Sequence, residues 1–89
     1  MTIGKRVLYT GRVQGVGFRY TAMGVAQSFA VAGFVRNLPD GRVELAAEGE
    51  AGEVDRFLAR VAEQMADYID GQATQDVAPQ GLSEFTIRR

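Results

Sequence analysis

The spacing of the apolar residues changes several times along the chain, and this change restricts the possible folds more than any other feature. Two stretches repeat apolar residues at positions i, i+3, i+4 and i+7, which predicts two amphipathic helices. The segments around them are short and either alternate apolar with polar residues or are rich in β-branched and aromatic residues, which predicts strands. The predicted order is strand, helix, strand, strand, helix, strand, strand.

The two helical stretches are identified by their apolar stripes. The first helix is predicted from Tyr20 to about Ala30, with a buried stripe of Ala22, Val25, Ala26 and Phe29. The second is predicted to begin at an acidic cluster, because negative charge stabilises a helix N-terminus. That cluster is Glu50, Glu53 and Asp55, and the apolar stripe that follows it is Val54, Phe57, Leu58, Val61 and Met65.

Five segments have the character of strands, and the fourth has the weakest pattern. They are Lys5–Gly11, Gly33–Leu38, Arg42–Glu48, Tyr68–Val77 and Glu84–Arg88. The second and third surround the turn sequence Pro39-Asp40-Gly41, so they are predicted to form a hairpin. The third alternates, with Val43, Leu45 and Ala47 predicted to face the core and Arg42, Glu44 and Glu48 predicted to face solvent.

This order of elements favours an α+β fold, the ferredoxin-like βαββαβ sandwich. In this fold an antiparallel sheet carries both helices on one face, and a short extra strand follows here at the C-terminus. The 89 residues are expected to form one domain, 1–89, because 46% of them are apolar and can build a core. No stretch approaches the length of a membrane span, and the N-terminal segment lacks the apolar run of a signal peptide, so a cytoplasmic protein is expected.

The chain contains no cysteine and no histidine, which removes a large part of enzyme chemistry. A thiol nucleophile, an imidazole base, a Ser-His pair and a metal site with nitrogen or sulfur ligands are all excluded. The net charge is −1, so the chain has no general attraction to nucleic acid. No metal site with nitrogen or sulfur ligands, no nucleic-acid partner and no membrane partner is therefore expected.

The segment Gly11–Arg19 (GRVQGVGFR) joins the first strand to the first helix and is the strongest candidate for a functional site. A glycine-rich turn that leads into a helix N-terminus directs successive backbone N–H groups inward, which suits it to bind an anion. Arg19 opposes the helix dipole unless an anion lies nearby, and its guanidinium can bind that anion with two hydrogen bonds. The spacing fits neither the Walker phosphate loop nor the G-x-G-x-x-G pattern. The alternative is a tight turn in which Arg19 is a solvated charge.

Asn37 is the second candidate, because it lies near the end of the second strand, just before the turn. Its side-chain amide can be exposed there, beside the glycine-rich loop. An asparagine before Pro-Asp-Gly is also a common turn former. The residues alone leave both interpretations of Asn37 open.

Gly11–Arg19, followed by Asn37 within Gly33–Gly41 (GFVRNLPDG), resembles the signature of the acylphosphatase family in both parts and in their spacing. The resemblance is close over about Lys5–Gly49 and looser over the second helix and Phe85–Arg89. It fades between Ala66 and Gln80, where the Gly-Pro step of many relatives is missing. It implies a metal-independent hydrolase without a cofactor, which cleaves the carboxyl–phosphate bond of an acyl phosphate to give a carboxylate and phosphate.

Carried over residue by residue, the resemblance implies that Arg19 and Asn37 are the catalytic residues. Arg19 would bind the phosphoryl oxygens together with main-chain amides of the loop, and Asn37 would orient the attacking water, while the base stays unassigned. The implied phosphate-binding residues are Gln14, Gly15, Val16, Gly17, Phe18 and Arg19. The implied partners are a small acyl phosphate as substrate and inorganic phosphate as product, and the chain is expected to be a monomer.

Other functions are also compatible with part of the pattern. A catalytically inactive module that binds an anion needs only the loop and Arg19, and the domain that handles carbamoyl phosphate in hydrogenase maturation would be a relative of this kind. An RNA-binding sheet fits poorly, because the third strand carries no aromatic residue. Arg12 and Arg36 flank the site and are interpreted as solvated charges, the alternative being that they raise the local positive potential. Tyr20 is interpreted as a packing residue, the alternative being that it lines the mouth of the site.

Overall fold

The structure, a computed structural model, describes all residues from Met1 to Arg89. It contains five strands and two helices in the predicted order. Their bounds are β1 Thr2–Gly11, α1 Phe18–Ala26, β2 Val31–Asn37, β3 Val43–Glu50, α2 Ala51–Gln64, β4 Ile69–Val77 and β5 Phe85–Ile87. The ferredoxin-like α+β fold is therefore confirmed. Neither helix has the length and apolar character needed to cross a membrane.

The strands form one sheet in the order β4-β1-β3-β2-β5. β1 pairs antiparallel with β3 and β4, and β2 pairs antiparallel with β3. β5 pairs parallel with β2, so the sheet is mixed rather than wholly antiparallel as predicted. The physical reason is the connection between β4 and β5. β3 and β4 run in the same direction, so they finish at the same end of the sheet, and the next loop crosses the sheet at that end. A strand that starts there must run in the direction of β2.

The core lies between the sheet and the two helices, which cover one sheet face. The predicted inner residues of β1, Val7 and Tyr9, are buried. In α2 the buried residues are Val54, Phe57 and Val61, as the apolar stripe predicts. Helix α1 is shorter than predicted because the chain tightens into i→i−3 hydrogen bonds after Ala26.

The face of the sheet away from the helices contains a buried ionic cluster that the alternation on β3 did not predict. Glu44 is 4% exposed and forms ion pairs with Arg6 on β1 and Arg36 on β2. Burial by itself raises the pKa of Glu44, but the hydrogen bonds from the two guanidinium groups outweigh it, so the pKa lies below its usual range. The prediction that Glu44 faces solvent was wrong, and so was the interpretation of Arg36 as a solvated charge.

Glu48 is also buried, for a different reason. Its carboxylate accepts hydrogen bonds from the backbone N–H groups of Gln80, at 2.7 Å, and Leu82, in the loop before β5. These bonds hold the loop against the end of β3 and shield the carboxylate, so the prediction that Glu48 faces solvent was wrong. The contacts come from residues more than thirty positions later in the chain, which no local pattern reveals.

Candidate functional site

The two predicted functional segments lie at the same edge of the sheet. β1 and β2 both pair antiparallel with β3, so they run in the same direction and end together. Val43, at the start of β3, is paired with Tyr9 on one side and with Asn37 on the other. Two strand spacings, about 10 Å, therefore separate Tyr9 from Asn37. The loop that follows β1 begins beside the turn that follows β2.

The loop between β1 and α1 has the backbone geometry of an anion-binding turn. Gly15 and Gly17 have φ angles of 76° and 80°, in the left-handed region where glycine is favoured. A Cβ atom added at either position would contact nothing within 4 Å, so the outer side of the loop is open. The backbone conformation, and not a steric neighbour, therefore requires glycine at these two positions.

The backbone N–H groups in the second part of this loop, from Gln14 to Phe18, have no partner in the protein. No backbone amide from Gln14 to Phe18 donates a hydrogen bond to another protein group. The N-terminus of α1 also lacks a side-chain cap at Gly17, and its first turn contains no acidic residue. Uncapped donors at a positively polarised helix end attract an anion, and nothing in the chain supplies one.

Arg19 adds a formal positive charge to the same helix end. Its side chain is partly exposed and forms neither an ion pair nor a hydrogen bond within the protein. Arg36 on β2 and Arg42 in the turn before β3 differ in this respect, because Arg36 is paired with Glu44 and Arg42 with Asp40. A guanidinium that is already paired is less available for a ligand, so Arg19, in the first turn of α1 and without an ion pair, is available to bind one at this helix end.

Arg12 and Tyr20 lie near the loop, and the structure agrees with the sequence prediction for Arg12 but not for Tyr20. Arg12 is exposed, as predicted, and its guanidinium lies 5.7 Å from the centre of the Tyr68 ring. Its backbone N–H also donates to the Tyr68 carbonyl at 2.9 Å, which anchors the start of the loop. Tyr20 is 69% exposed, so the prediction that it is a packing residue was wrong. Its place in the first turn of α1 directs it away from the core that Ala22 and Phe18 enter.

Asn37 is the last residue of β2 and is partly exposed. Its side-chain amide forms no hydrogen bond within the protein, so both its donor and its acceptor are free for a ligand or a water molecule. The turn beyond it is well defined, because the Leu38 N–H donates to the Arg42 carbonyl at 2.8 Å. The Arg42 N–H donates in turn to the Asp40 carboxylate, and this bond is the main reason that the pKa of Asp40 is lowered.

Gln14 has a contact that the sequence did not predict. Its side-chain Nε2 donates to the Leu38 carbonyl at 2.8 Å and to the Arg42 carbonyl at 3.0 Å. From the sequence, Gln14 was predicted to act only through its main-chain amide. The available signal was a long polar side chain in the segment Val13–Gly17, which is otherwise composed of glycine and valine. These two bonds connect the loop to the turn that follows Asn37.

The site is an open shelf and not a deep cavity. The four concavities of the surface lie elsewhere, and the largest, of about 470 Å³, is lined by Phe29, Glu48 and Leu82 among others. No group of three or more potential metal-ligating side chains occurs in the chain. The loop is therefore suited to a small anion that is bound by several amides and one guanidinium, next to a free amide side chain. In class, the protein has a ferredoxin-like fold with a loop of unpaired donors that is suited to an anion.

Comparisons with known proteins identify the family. The sequence model of the acylphosphatase family matches residues 5–87. An acylphosphatase of Methanospirillum hungatei is 42% identical, with 96% of this chain and 98% of that protein covered. One of Trichormus variabilis is also 42% identical, over 93% of this chain and 83% of that protein. The chain belongs to the acylphosphatase family, and it is an enzyme of that class.

Solved structures agree with this assignment. The acylphosphatase of Bacillus subtilis superposes with a TM-score of 0.88 at 32% identity, and all of both chains is covered. Full-length HypF, solved in a phosphate- and nucleotide-bound form, gives a TM-score of 0.83 at 22% identity. Because this chain covers only 12% of that longer protein, the likeness shows a shared fold and nothing about activity.

Proposed function

We propose that this protein hydrolyses acyl phosphates by direct attack of water on a phosphoryl group bound at the loop between β1 and α1. A new bond forms between the water oxygen and phosphorus, and the bond from phosphorus to the carboxyl oxygen breaks. The carboxylate leaves with its electron pair and needs no protonation by a general acid. Phosphoryl transfer through a loose transition state depends mainly on positioning and charge stabilisation, which a site without cysteine or histidine can provide.

The phosphoryl group would be bound by the main-chain amides of Gln14, Gly15, Val16, Gly17 and Phe18 together with the Arg19 guanidinium. The observation that carries this proposal is the set of unpaired donors in one loop. An oxyanion with up to three negatively polarised oxygens can accept hydrogen bonds from several of these N–H groups. Arg19 would add a charge-assisted bond, since no carboxylate of the protein competes for it.

Asn37 would orient the attacking water. Its amide oxygen can accept a hydrogen bond from the water, and its amide nitrogen can donate one to a phosphoryl oxygen. The free state of this side chain at the end of β2 supports the role. A phosphoryl oxygen of the substrate can take the proton that the water releases, so the reaction balances without a protein base.

The same proposal includes one domain, 1–89, that acts as a cytoplasmic monomer without metal or cofactor. The support for a monomer is the surface, where Met1 and Tyr20 are the large apolar side chains that are well exposed. Single exposed apolar residues do not form the continuous patch that a stable partner would cover. The partners would then be small molecules, namely an acyl phosphate and the phosphate that it releases.

The experiment that tests the proposal is hydrolysis of acetyl phosphate and benzoyl phosphate by wild type and three variants. Arg19→Ala and Asn37→Ala are each expected to lower kcat/KM by about 10²- to 10³-fold, the usual effect of losing one transition-state hydrogen-bonding group. Arg60→Ala is the matched control, since Arg60 is also unpaired but lies on α2, and it should leave turnover unchanged. An inactive wild type, or an Asn37→Ala variant with full turnover, contradicts the proposal.

The second candidate function, anion binding without turnover, makes a different prediction in the same series. Capture of phosphate needs the loop and Arg19 but not Asn37. Phosphate would then raise the thermal unfolding temperature of wild type and Asn37→Ala equally, while none of the proteins released carboxylate. Turnover by wild type that depends on Asn37 would reject this alternative.

A further inference from the structure

The side chain of Gln14 contributes the hydrogen bonds that join the loop between β1 and α1 to the turn between β2 and β3. Both hydrogens of its Nε2 amide are used, one on the Leu38 carbonyl at 2.8 Å and one on the Arg42 carbonyl at 3.0 Å. No other hydrogen bond connects the two segments. The partners are 24 and 28 positions away in the sequence, so these bonds fix a tertiary relationship and not a local turn.

The two carbonyls that Gln14 contacts are already part of the turn that defines the position of Asn37. The Leu38 carbonyl also accepts the Gly41 N–H at 3.1 Å, and the Arg42 carbonyl also accepts the Leu38 N–H at 2.8 Å. Each carbonyl therefore accepts two hydrogen bonds, one from within the turn and one from Gln14. Because Leu38 directly follows Asn37, any movement of the loop relative to the turn would strain these bonds.

We propose that Gln14 is a positioning residue, whose side chain fixes the separation between the bound phosphoryl group and the water oriented by Asn37. This inference rests on the proposed function of the same site. One residue then serves both halves of the reaction. Its main-chain amide belongs to the loop that binds the phosphoryl group, and its side chain holds the turn that carries the water-orienting residue.

The physical consequence is a separation of binding from turnover. Phosphate binding uses the loop amides and Arg19, which all lie on one side of the Gln14 contact. Attack by water needs the reacting atoms about 3–3.5 Å apart and aligned, and a misplacement of about 1 Å can cost on the order of 100-fold in rate. Loss of the Gln14 side-chain bonds should therefore lower kcat and leave the affinity for phosphate nearly unchanged.

The experiment compares Gln14→Met with wild type, since methionine has a similar length but no donor. We expect kcat for benzoyl phosphate to fall by about 10- to 100-fold, and the Kd of inorganic phosphate to change by less than about 2-fold. Gln27→Met is the matched control, because the Gln27 amide also donates to a backbone carbonyl but outside the site, and its kcat should equal that of wild type. Gln14→Asn keeps both donors on a side chain one methylene shorter and should show the same separation, which provides a second variant if Gln14→Met does not fold.

A double-mutant cycle with Asn37→Ala distinguishes positioning from a general structural effect. If Gln14 acts through Asn37, its replacement should cost less than about 2-fold in kcat once Asn37 is already alanine. An equal loss of kcat in both backgrounds, or a loss of phosphate affinity as large as the loss of kcat, would overturn the inference.

The inference can fail separately from the proposed function. In the phosphate-saturated protein, the NMR resonances of the Asn37 side-chain amide should shift in Gln14→Met and stay in place in Gln27→Met. A wild type without turnover would refute the proposed function and leave this readout intact. Active wild type with unchanged Asn37 resonances in Gln14→Met would refute the positioning role alone.

Discussion

Tyr9 carries the one buried side-chain polar atom that has no hydrogen-bond partner, and its removal is expected to stabilise the protein. The residue is fully buried on β1, and its ring packs against Phe18 with 4.8 Å between the ring centres. A buried hydroxyl without a partner costs about 1–3 kcal/mol relative to its hydrated state. Tyr9→Phe removes that cost and retains the aromatic contact.

The opposing effect of Tyr9→Phe is small. Loss of one oxygen leaves a void of roughly 10 Å³, which costs only about 0.2 kcal/mol at about 24 cal/mol per Å³. The net gain should be about 0.8–2.8 kcal/mol, and each kcal/mol raises the Tm of a domain of this size by roughly 4–8 °C. Urea and thermal unfolding measure the change, and Tyr68→Phe, whose ring is partly exposed, is the matched control with an expected change below about 0.5 kcal/mol.

The same residue predicts a dependence on alkaline pH. Burial raises the pKa of Tyr9 above its ordinary value, so the unfolded chain loses this proton first, at about pH 10. Above that pH, ionisation of Tyr9 stabilises the unfolded chain but not the folded protein, so wild type loses stability as the pH rises. Tyr9→Phe should therefore lose less stability than wild type between about pH 9 and 11. If Tyr9→Phe is less stable than wild type at neutral pH, the reasoning is refuted, because the Tyr9 hydroxyl must then form a hydrogen bond in the folded protein.

The remaining predictions concern carboxylates and the pH dependence of activity. The pKa of Glu44 is lowered, so its stabilising effect is present above the unfolded value of about 4.3 and is lost as the pH falls. Glu44→Gln should be about 1–3 kcal/mol less stable than wild type at pH 7, and the difference should shrink toward pH 3, as measured by urea unfolding; a constant difference would contradict this assignment. For activity, we expect kcat to be nearly constant between roughly pH 5.5 and 8, because the chain has no histidine. Initial rates across that range test it, and a steep inflection near neutrality would show that an unassigned group titrates in the mechanism.

Local patterns in the sequence were sufficient for most of the fold. The order of strands and helices, the turn at Pro39-Asp40-Gly41 and the buried stripe of α2 all follow from spacing between near neighbours. The direction of β5 does not, because it depends on where β4 ends in the sheet and on the Glu48 contacts that hold the connecting loop. These relationships exist only after the sheet has formed.

The candidate site shows the same division between local and long-range information. The glycine-rich loop, Arg19 and Asn37 were predicted from the sequence, and the pairing of Val43 with both Tyr9 and Asn37 explains why the two segments lie at one edge. The side-chain role of Gln14 was not predicted, because its partners are carbonyl groups whose direction depends on the folded turn. The burial of Glu44 was missed for a related reason, since the alternation on β3 contains no information about arginines on the adjacent strands.

The central claim is that water attacks the phosphorus atom of an acyl phosphate bound at the loop between β1 and α1. Hydrolysis of benzoyl phosphate in water enriched in the heavy oxygen isotope tests this claim most directly, with the same reaction without protein as the measure of the uncatalysed background. Mass spectrometry of the products of wild type should find one heavy oxygen in the phosphate and none in the benzoate. Heavy oxygen in the benzoate would show attack at the carbonyl carbon and would contradict the account.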